Sequence, residues 1–323
     1  YDYIIIGGGL SGMTLANRLS EDPSKTILVL EAGGFHSNDP IVAIPGLSGS
    51  AFGNATLDWD FSTIPQPNSN NNTYTWHRGK GLGGSTLINL MAWGRPALPE
   101  IDAMGNLGNP GWTGENLFKY MRKAENFTKP PQAFAIENNL TYITAAHGNS
   151  GPLFSSFSNF ISAAQAPWLS VLNSLGVAHN QDALSGSDVG VWMAPATVNA
   201  QRQIRSDAAS AYYIPVSGRA NLVVETGAEV LKIVLDSGSH ENVRASQVQY
   251  IQGGQTLTVN VTEGAEVILS ASAVKTPQLL ELSGIGDPDI LEPLGIDVKV
   301  NLPGVGAGVI DQVYLGVSYG VEP

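Results

Sequence analysis

Residues 4–12 read Ile-Ile-Ile-Gly-Gly-Gly-Leu-Ser-Gly, and residues 26–31 read Thr-Ile-Leu-Val-Leu-Glu. The two continuous apolar runs predict buried strands of a parallel sheet, and the residues between them have helical spacing. This order of elements is typical of a dinucleotide-binding unit: a strand, a glycine-rich turn, a helix and a second strand that ends in an acidic residue. A glycine-rich turn alone is weak evidence, because such turns also occur without a ligand. The complete unit is much more specific.

The first turn supplies the groups that a dinucleotide requires. Gly7, Gly9 and Gly12 have the G-x-G-x-x-G spacing, which allows a tight turn, close approach of a pyrophosphate and close packing of helix on strand. The N-terminus of the following helix offers free N–H groups to the phosphates. Glu31 is expected to accept hydrogen bonds from both ribose hydroxyls of the adenosine, and its charge repels a 2′-phosphate. The sequence therefore favours FAD or NAD over NADP.

Composition sets the broad class of the protein. The chain has 323 residues, 43% hydrophobic and 8% aromatic, with a formal charge of −12. Its length predicts two interleaved domains with ample core. The negative charge argues against nucleic acid or an anionic membrane as a partner, and no apolar run approaches the length of a membrane span. No leader precedes the first strand, so we expect any signal peptide to have been removed or never present.

The chain contains no cysteine, which excludes disulfides, thiolate metal sites and cysteine nucleophiles. Asn-x-Thr sequons, in contrast, are more frequent than chance predicts. They begin at Asn54, Asn71, Asn126, Asn139 and Asn260. We expect a secreted, extracellular protein that is N-glycosylated at some of these sites. An Asn- and Thr-rich surface is the alternative explanation.

A second glycine-rich segment, residues 78–89, reads Arg-Gly-Lys-Gly-Leu-Gly-Gly-Ser-Thr-Leu-Ile-Asn. Four glycines within six residues indicate that the backbone comes close to something flat or bulky, and such a turn supplies the N–H donors that an isoalloxazine ring requires. A plain tight loop is the alternative. Ser85 to Ala92 is predicted to begin a helix. Residues 37–75 are rich in Pro, Gly, Asn and Ser and predict a long surface excursion or lid.

The rest of the chain alternates between helical and strand patterns. We expect the strand–helix units at the two ends to share one sheet, with the middle of the chain inserted. Three of the later strands have the spacing of an antiparallel meander. Predicted helices lie at 112–127 with Thr113 as N-cap, 159–176, 206–213, and 272–282 with Gly284 as C-cap. Predicted strands lie at 221–225, 230–235, 245–251, 256–262 and 266–269.

Three segments together resemble the glucose–methanol–choline (GMC) flavoprotein oxidoreductases, especially the glucose oxidase and aryl-alcohol oxidase branch. The first is residues 7–12 with Glu31-Ala32-Gly33, and the second is residues 79–89 followed by Trp93-Gly94-Arg95-Pro96. The third runs from Gly264 through Ala273 to Gly286. The resemblance extends from Tyr1 to about Asp311, and it is more specific than either glycine pattern alone.

The resemblance implies FAD as the cofactor. Leu10 and Ser11 are expected at the pyrophosphate, and the Val230 backbone at the adenine edge. Ser85, Asn89 and the backbone through Ala92 are expected to line the flavin and the ribityl chain. The complete expected set is Gly7, Gly9, Leu10, Ser11, Gly12, Glu31, Ala32, Gly79, Gly83, Gly84, Ser85, Asn89, Leu90, Met91, Ala92, Val230 and Asp311.

The chain departs from the family pattern at two places. Leu90 stands where the family commonly has glycine, and it is expected to crowd the isoalloxazine or narrow access to its reactive edge. Residues 307–310, just before Asp311, are unusually apolar. For these reasons the substrate preference of a relative does not carry over to this chain.

The predicted fold is α/β, with a Rossmann-type FAD-binding domain interleaved with a partial substrate-binding domain. The FAD domain is expected to combine a mostly parallel sheet with an antiparallel meander. We assign residues 1–36, 76–110 and 200–312 to the FAD domain, 37–75 to the lid or surface excursion, and 111–199 with 313–323 to the substrate domain.

The resemblance also implies a C-terminal pair, usually His with His or Asn, that takes the alcohol proton as hydride leaves. The five histidines have no matching context. His36, His147, His179 and His240 are interpreted as solvated loop residues, and His77 as structural or in contact with cofactor. No catalytic residue is assigned, and the base is expected beyond residue 323. No metal-ligand spacing and no serine-hydrolase elbow occur. Arg202 and Arg205 are expected to form salt bridges or to pack through their stems, with contact to a phosphate or a carboxylate as the alternative.

The resemblance thus implies FAD-dependent oxidation of an alcohol, sugar or aryl alcohol by hydride transfer to flavin N5. The expected partners are a small-molecule alcohol and an electron acceptor, oxygen or a quinone-like compound, and a homodimer is a further possibility. Two alternatives stay open. One is a hydroxynitrile-lyase-like flavoprotein with redox-silent FAD, and the other is a truncated flavin-binding fragment without activity.

Overall fold

The structure, a computed structural model, describes residues 1–236, 243–312 and Gly320. The strands within these residues are β1 (Tyr3–Ile6), β2 (Ile27–Glu31), β3 (Phe61–Ser62), β4 (Thr75–Trp76), β5 (Glu125–Thr128), β6 (Leu153–Ser156), β7 (Val198–Asn199), β8 (Ile204–Arg205), β9 (Leu222–Thr226), β10 (Glu229–Leu235), β11 (Ala245–Gln252), β12 (Gln255–Asn260), β13 (Glu266–Leu269), β14 (Ile285–Gly286) and β15 (Val300–Asn301). The α-helices are α1 (Leu10–Leu19), α2 (Pro40–Ala43), α3 (Leu98–Asn106), α4 (Gly114–Ala124), α5 (Gln132–Glu137), α6 (Trp168–Ser174), α7 (Ser272–Leu282) and α8 (Pro288–Leu291).

The central sheet has four parallel strands in the order β13–β1–β2–β9. Tyr3 of β1 pairs with Ile27 of β2 on one side and with Glu266 of β13 on the other. Strand β2 is buried along its whole length, which explains why its sequence is a continuous apolar run. The prediction that the two ends of the chain share one sheet is confirmed.

Each face of the sheet is covered by a separate layer. Helix α1 and a π-helical turn at Ala209–Tyr213 pack on the face that carries Ile5 and Val29. The antiparallel meander β10–β11–β12 and helix α7 pack on the face that carries Ile4 and Leu28. The predicted α/β fold, with a parallel sheet and an antiparallel meander, is confirmed.

The middle of the chain contains a smaller core. Strands β5 and β6 pair in parallel, and Phe127, Leu140 and Phe157 form the buried cluster next to them. Thr113 caps α4 as predicted, because its side chain accepts a hydrogen bond from the Asn116 N–H. The domain boundaries stay a prediction, and residues 313–319 and 321–323 of the last assigned segment lie outside the described residues.

Two helix predictions were wrong in part. Ser85 to Ala92 does not form a helix. A 3₁₀ turn at Gly84–Leu87 ends where the Asn89 side chain accepts from the Met91 N–H, and Met91 then adopts a φ of 61°. Within 159–176, only Trp168–Ser174 is α-helical. None of the helices in the described part of the chain is both long enough and apolar enough to cross a membrane.

Candidate cofactor-binding site

A cleft of about 560 Å³ opens at the carboxyl ends of β1, β2 and β13. Ligands of open α/β sheets bind at this edge, and the volume lies within the range of cofactor sites. The turn after β1, the glycine segment at 79–89 and residues 270–273 after β13 all contribute to the lining. Segments far apart in the sequence therefore surround one cleft.

Most of the predicted cofactor-binding residues line this cleft. They are Gly7, Gly9, Leu10, Ser11, Glu31, Ala32, Gly79, Gly84, Ser85, Asn89 and Val230. Leu90, Met91, Ala92 and Asp311 are outside the lining. Met91 accepts a hydrogen bond from the Thr197 N–H and Ala92 bridges to Ala196, so this stretch turns toward the middle of the chain. Leu90 is 64% exposed, and Asp311 is an exposed residue that accepts from the Gln312 N–H.

Gly12 and Gly83 also lie outside the lining, but the first shapes the cleft indirectly. A Cβ atom on Gly12 would lie 2.0 Å from the Gly7 carbonyl oxygen. Only glycine therefore lets α1 begin directly against the turn that follows β1, as the sequence pattern predicts.

The two glycine-rich turns are in direct contact. The Gly83 N–H donates to the Gly8 carbonyl at 2.8 Å. Gly84 has a φ of 54°, and a Cβ atom there would lie 2.8 Å from Gly9 Cα. A side chain at position 84 would push the turns apart. The second glycine segment thus forms the wall of the cleft next to the turn that follows β1.

The N-terminus of α1 faces this cleft through Leu10 and Ser11. Gly9 is the N-cap residue, and no side chain caps the helix. The first amide groups of a helix lack intrahelical acceptors and carry the positive end of its dipole. This end of α1 therefore offers N–H groups to an anion such as a pyrophosphate.

Glu31 joins both turns. Its carboxylate accepts hydrogen bonds from the N–H groups of Gly8 at 2.7 Å, Gly33 at 2.8 Å and Gly81 at 3.1 Å. Burial raises the pKa of the Glu31 carboxyl, although these three amides and the charge of Lys80 oppose the rise. Only one of the three bonds uses Oε2, so this oxygen retains capacity for a ribose hydroxyl. Glu31 thus organises the cleft as well as lining it.

One aromatic side chain of the cleft was missed by the sequence interpretation. Trp59 lies in the excursion at 37–75 and lines the cleft. The Nζ atoms of Lys80 and Lys275 each lie 4.6 Å from the centre of its ring. Lys275 also lies 3.5 Å from Glu229, next to Val230. Lys80 precedes Gly81, which binds Glu31, and Glu229 precedes Val230, so Trp59 lies at the end of the cleft where the sequence predicts the adenosine. No local pattern marked it, since its partners are distant in sequence.

The described histidines differ in their surroundings: His36 and His77 are partly buried, the side chain of His147 is buried, and His179 is exposed, in keeping with its interpretation as a loop residue. The prediction that His147 is solvated was wrong, because its ring is buried and stacks on Phe127 at 3.9 Å. His77 Nδ1 donates to the Asp58 carboxylate at 2.6 Å, and the ring stacks on Phe52. His36 contacts Asp39, and His179 contacts Thr141. His240 lies outside the described residues.

A buried polar network surrounds His147. Its Nδ1 lies 3.0 Å from Glu125 and its Nε2 lies 3.1 Å from Asp182. Burial lowers the pKa of His147, but hydrogen bonds and charges of the two carboxylates outweigh it and raise the pKa to about 9. Glu125 also pairs with Arg95 at 2.7 Å and accepts from the Trp93 indole N–H. This network therefore joins the segment after the second glycine turn to the middle of the chain.

A metal site is not assigned. Ligand atoms of Asp58, Asp60 and His77 lie within 4.8 Å of one another. The Asp58 carboxylate, however, already contacts His77 and accepts from the N–H groups of Gly53, Asp60 and Arg78. These bonds explain the cluster as the support of a turn.

The fold and the cleft define a dinucleotide-binding α/β protein, and comparison with known proteins identifies the family. The family model described as GMC oxidoreductase matches residues 1–313. The GMC oxidoreductase family protein Mala s 12 of Malassezia sympodialis is 35% identical over 323 residues, which cover 99% of this chain and 52% of that protein. The chain belongs to the GMC oxidoreductase family.

Solved structures agree with this assignment. An FAD-dependent oxidoreductase from Chaetomium thermophilum superposes with a TM-score of 0.86 at 35% identity, over 94% of this chain and 51% of the other. A fungal aryl-alcohol oxidase superposes with a TM-score of 0.84 at 32% identity, over 94% and 51%. The chain thus spans about half the length of the relatives that it matches. FAD is the cofactor that this family and this cleft accommodate.

Proposed function

We propose that the protein oxidises an alcohol, a sugar or an aryl alcohol, with a small-molecule substrate and with oxygen or a quinone-like compound as electron acceptor. The bound FAD supplies a hydride acceptor at its N5 atom. The observation that carries the proposal is the continuous cleft in which a helix N-terminus, the Glu31 carboxylate and two touching glycine turns follow one another. Aryl alcohol is included because one structural relative is an aryl-alcohol oxidase.

The residues of this chain bind and orient the cofactor in this proposal. The uncapped end of α1 holds the pyrophosphate, Glu31 holds the adenosine ribose, and Ser85 and Asn89 lie along the flavin and ribityl part. Leu269 and Leu279 contribute apolar surface to the same lining. The chain therefore fixes where the flavin lies and limits its contact with water.

Proton removal from the alcohol requires a base near the hydroxyl. The lining of the cleft, taken over the described residues, contains no histidine. We therefore place the base in a segment outside this sequence, in keeping with the half-length coverage of the relatives.

The proposal can be tested by purifying the protein that contains this chain and following its flavin absorbance. Purified protein should be yellow, and the flavin absorbance should bleach when an alcohol, a sugar or an aryl alcohol is added without oxygen. Readmission of air or addition of a quinone should restore the colour. Yellow protein that never bleaches but releases cyanide from a cyanohydrin would instead identify a lyase. Folded protein that binds no flavin would contradict both activities.

We also propose that the protein is secreted and N-glycosylated. Asn71, Asn139 and Asn260 are exposed, and each begins an Asn-x-Thr sequon. Asn54 and Asn126 are only partly exposed. Protein made in a eukaryotic secretory host should lose mass on treatment with a peptide N-glycosidase, with Asn converted to Asp at the exposed sites. An unchanged mass would contradict the proposal.

A further inference from the structure

Arg205 is a buried cation in contact with the second glycine segment. It ends β8 and is 3% exposed. Its Nε donates to the Val42 carbonyl at 2.9 Å, and its Nη1 lies 3.2 Å from the Thr86 carbonyl oxygen. The same Nη1 donates to the Asn89 carbonyl at 2.8 Å and to Asn89 Oδ1 at 2.7 Å. These contacts are with neutral oxygens, and Arg205 forms no salt bridge within the described residues, so that one of its expected roles is not observed there.

The contact with Arg205 determines the orientation of the Asn89 side chain. Asn89 Oδ1 accepts from Arg205 Nη1 and, at 3.2 Å, from the Met91 N–H. Only an oxygen can accept both bonds, because an amide nitrogen would place donor against donor. The Nδ2 group at the other end has no hydrogen-bond acceptor in the described part of the chain. Asn89 is exposed and lines the cleft, so this donor is available to a ligand.

We propose that Arg205 is a positioning residue for the cofactor. It holds the Asn89 side chain so that the Nδ2 group donates a hydrogen bond to an oxygen or nitrogen acceptor of the flavin and ribityl part of FAD. The inference depends on FAD binding in this cleft and is independent of which substrate is oxidised. A second effect of the same contact is to keep the Thr86–Asn89 turn closed against the wall of the cleft.

The Asn89→Asp variant removes the Nδ2 donor but keeps the oxygens that hold the turn in place. Aspartate keeps both oxygens for Arg205 and Met91 and pairs more strongly with the guanidinium, but it has no N–H to donate. We expect the apoprotein to melt at or above the wild-type temperature, whereas FAD should bind about tenfold more weakly or worse, with an altered visible absorption spectrum of the residual bound flavin. Wild-type FAD affinity in Asn89→Asp would overturn the proposal.

A double-mutant cycle tests whether Arg205 acts through Asn89. Asn89→Ala should weaken FAD binding about three- to tenfold, as expected for one hydrogen bond, and Arg205→Met should weaken it at least as much. The double variant should bind FAD no more weakly than Arg205→Met alone, because Asn89 has already lost its orientation. Affinities are measured by flavin fluorescence on apoprotein, with Arg202→Met as the control, since Arg202 is an exposed neighbour.

Additive losses in the cycle would show that Arg205 acts independently of Asn89 and would contradict the proposal. If Arg205→Met does not fold, Arg205→Lys takes its place, because lysine keeps the charge but presents a single donor group. The melting temperature of each apoprotein is recorded beside its FAD affinity. A loss of affinity that simply follows the loss of stability across the series would also contradict the proposal.

Discussion

Replacing Glu31 by alanine should loosen the whole cofactor cleft, even in the apoprotein. The carboxylate accepts from Gly8, Gly33 and Gly81, which belong to the first turn, the end of β2 and the second glycine turn. Glu31→Ala removes all three bonds at once and leaves three backbone donors to find water or other acceptors.

The expected size follows from the number and kind of these bonds. A buried donor without an acceptor costs about 1–3 kcal/mol. The charge of Glu31 is itself costly to bury, as its raised pKa indicates, and water can enter the open cleft, so both effects reduce the loss. We expect Glu31→Ala to lower the free energy of unfolding by about 2–4 kcal/mol. Glu31→Gln should cost less, because its oxygen can still accept from Gly33 and Gly81.

Urea unfolding of the apoproteins, followed by circular dichroism, gives the free energies, and flavin fluorescence titration gives the FAD affinities. Loss of the ribose contact in Glu31→Ala should weaken FAD binding by a further ~1–3 kcal/mol. Glu115→Ala is the matched control, because that carboxylate is 86% exposed. A wild-type unfolding midpoint in Glu31→Ala would refute the structural part of the reasoning, and unchanged FAD affinity would refute the ribose contact.

Three further predictions concern other parts of the molecule. Protonated His147 should stabilise the fold by at most about 3 kcal/mol. This stabilisation should be complete below pH ~6.5 and should fall as the pH rises through about 9. In His147→Gln, the free energy of unfolding from urea curves should not show this fall with pH. Trp59→Ala should weaken FAD binding about tenfold in fluorescence titrations, whereas Trp59→Phe should retain most of the affinity. Gly84→Ala should lower the free energy of unfolding by ~1–3 kcal/mol and should lose most of the bound flavin. Gly218→Ala is the control, because a Cβ atom there meets nothing within 4 Å, and it should keep both its stability and its flavin.

The sequence predicted the elements whose cause is local or periodic. Strands β1 and β2 are buried on the sheet and therefore read as apolar runs. Strand β12 of the meander alternates between exposed and partly buried residues, as expected when one face of a strand packs against the protein. The glycines that line the cleft could be predicted because two turns of the backbone approach each other at these positions, as Gly84 approaches Gly9. These features depend on neighbours along the chain or on a steric requirement that only glycine meets.

The features that the sequence did not reveal depend on distant partners. Trp59 lines the cleft beside Lys275, more than 200 positions away. Residues 85–92 have helical spacing, but the 3₁₀ turn ends at Leu87, and the Asn89 side chain instead accepts from the Met91 N–H and from the distant Arg205. His147 looked like a loop residue, yet two buried carboxylates surround it. No pattern within a short window records such contacts.

The pairing of β1 with β13 has a consequence for how the protein is made. Tyr3 must meet Glu266 before the first strand is hydrogen-bonded on both sides. Until that segment has been synthesised, β1 therefore has one edge without a strand partner, and such an edge can pair with other chains. Residues 269–273 after β13 also complete the wall of the cleft, so we expect a polypeptide that ends before them to bind flavin poorly and to aggregate more readily than the longer chain.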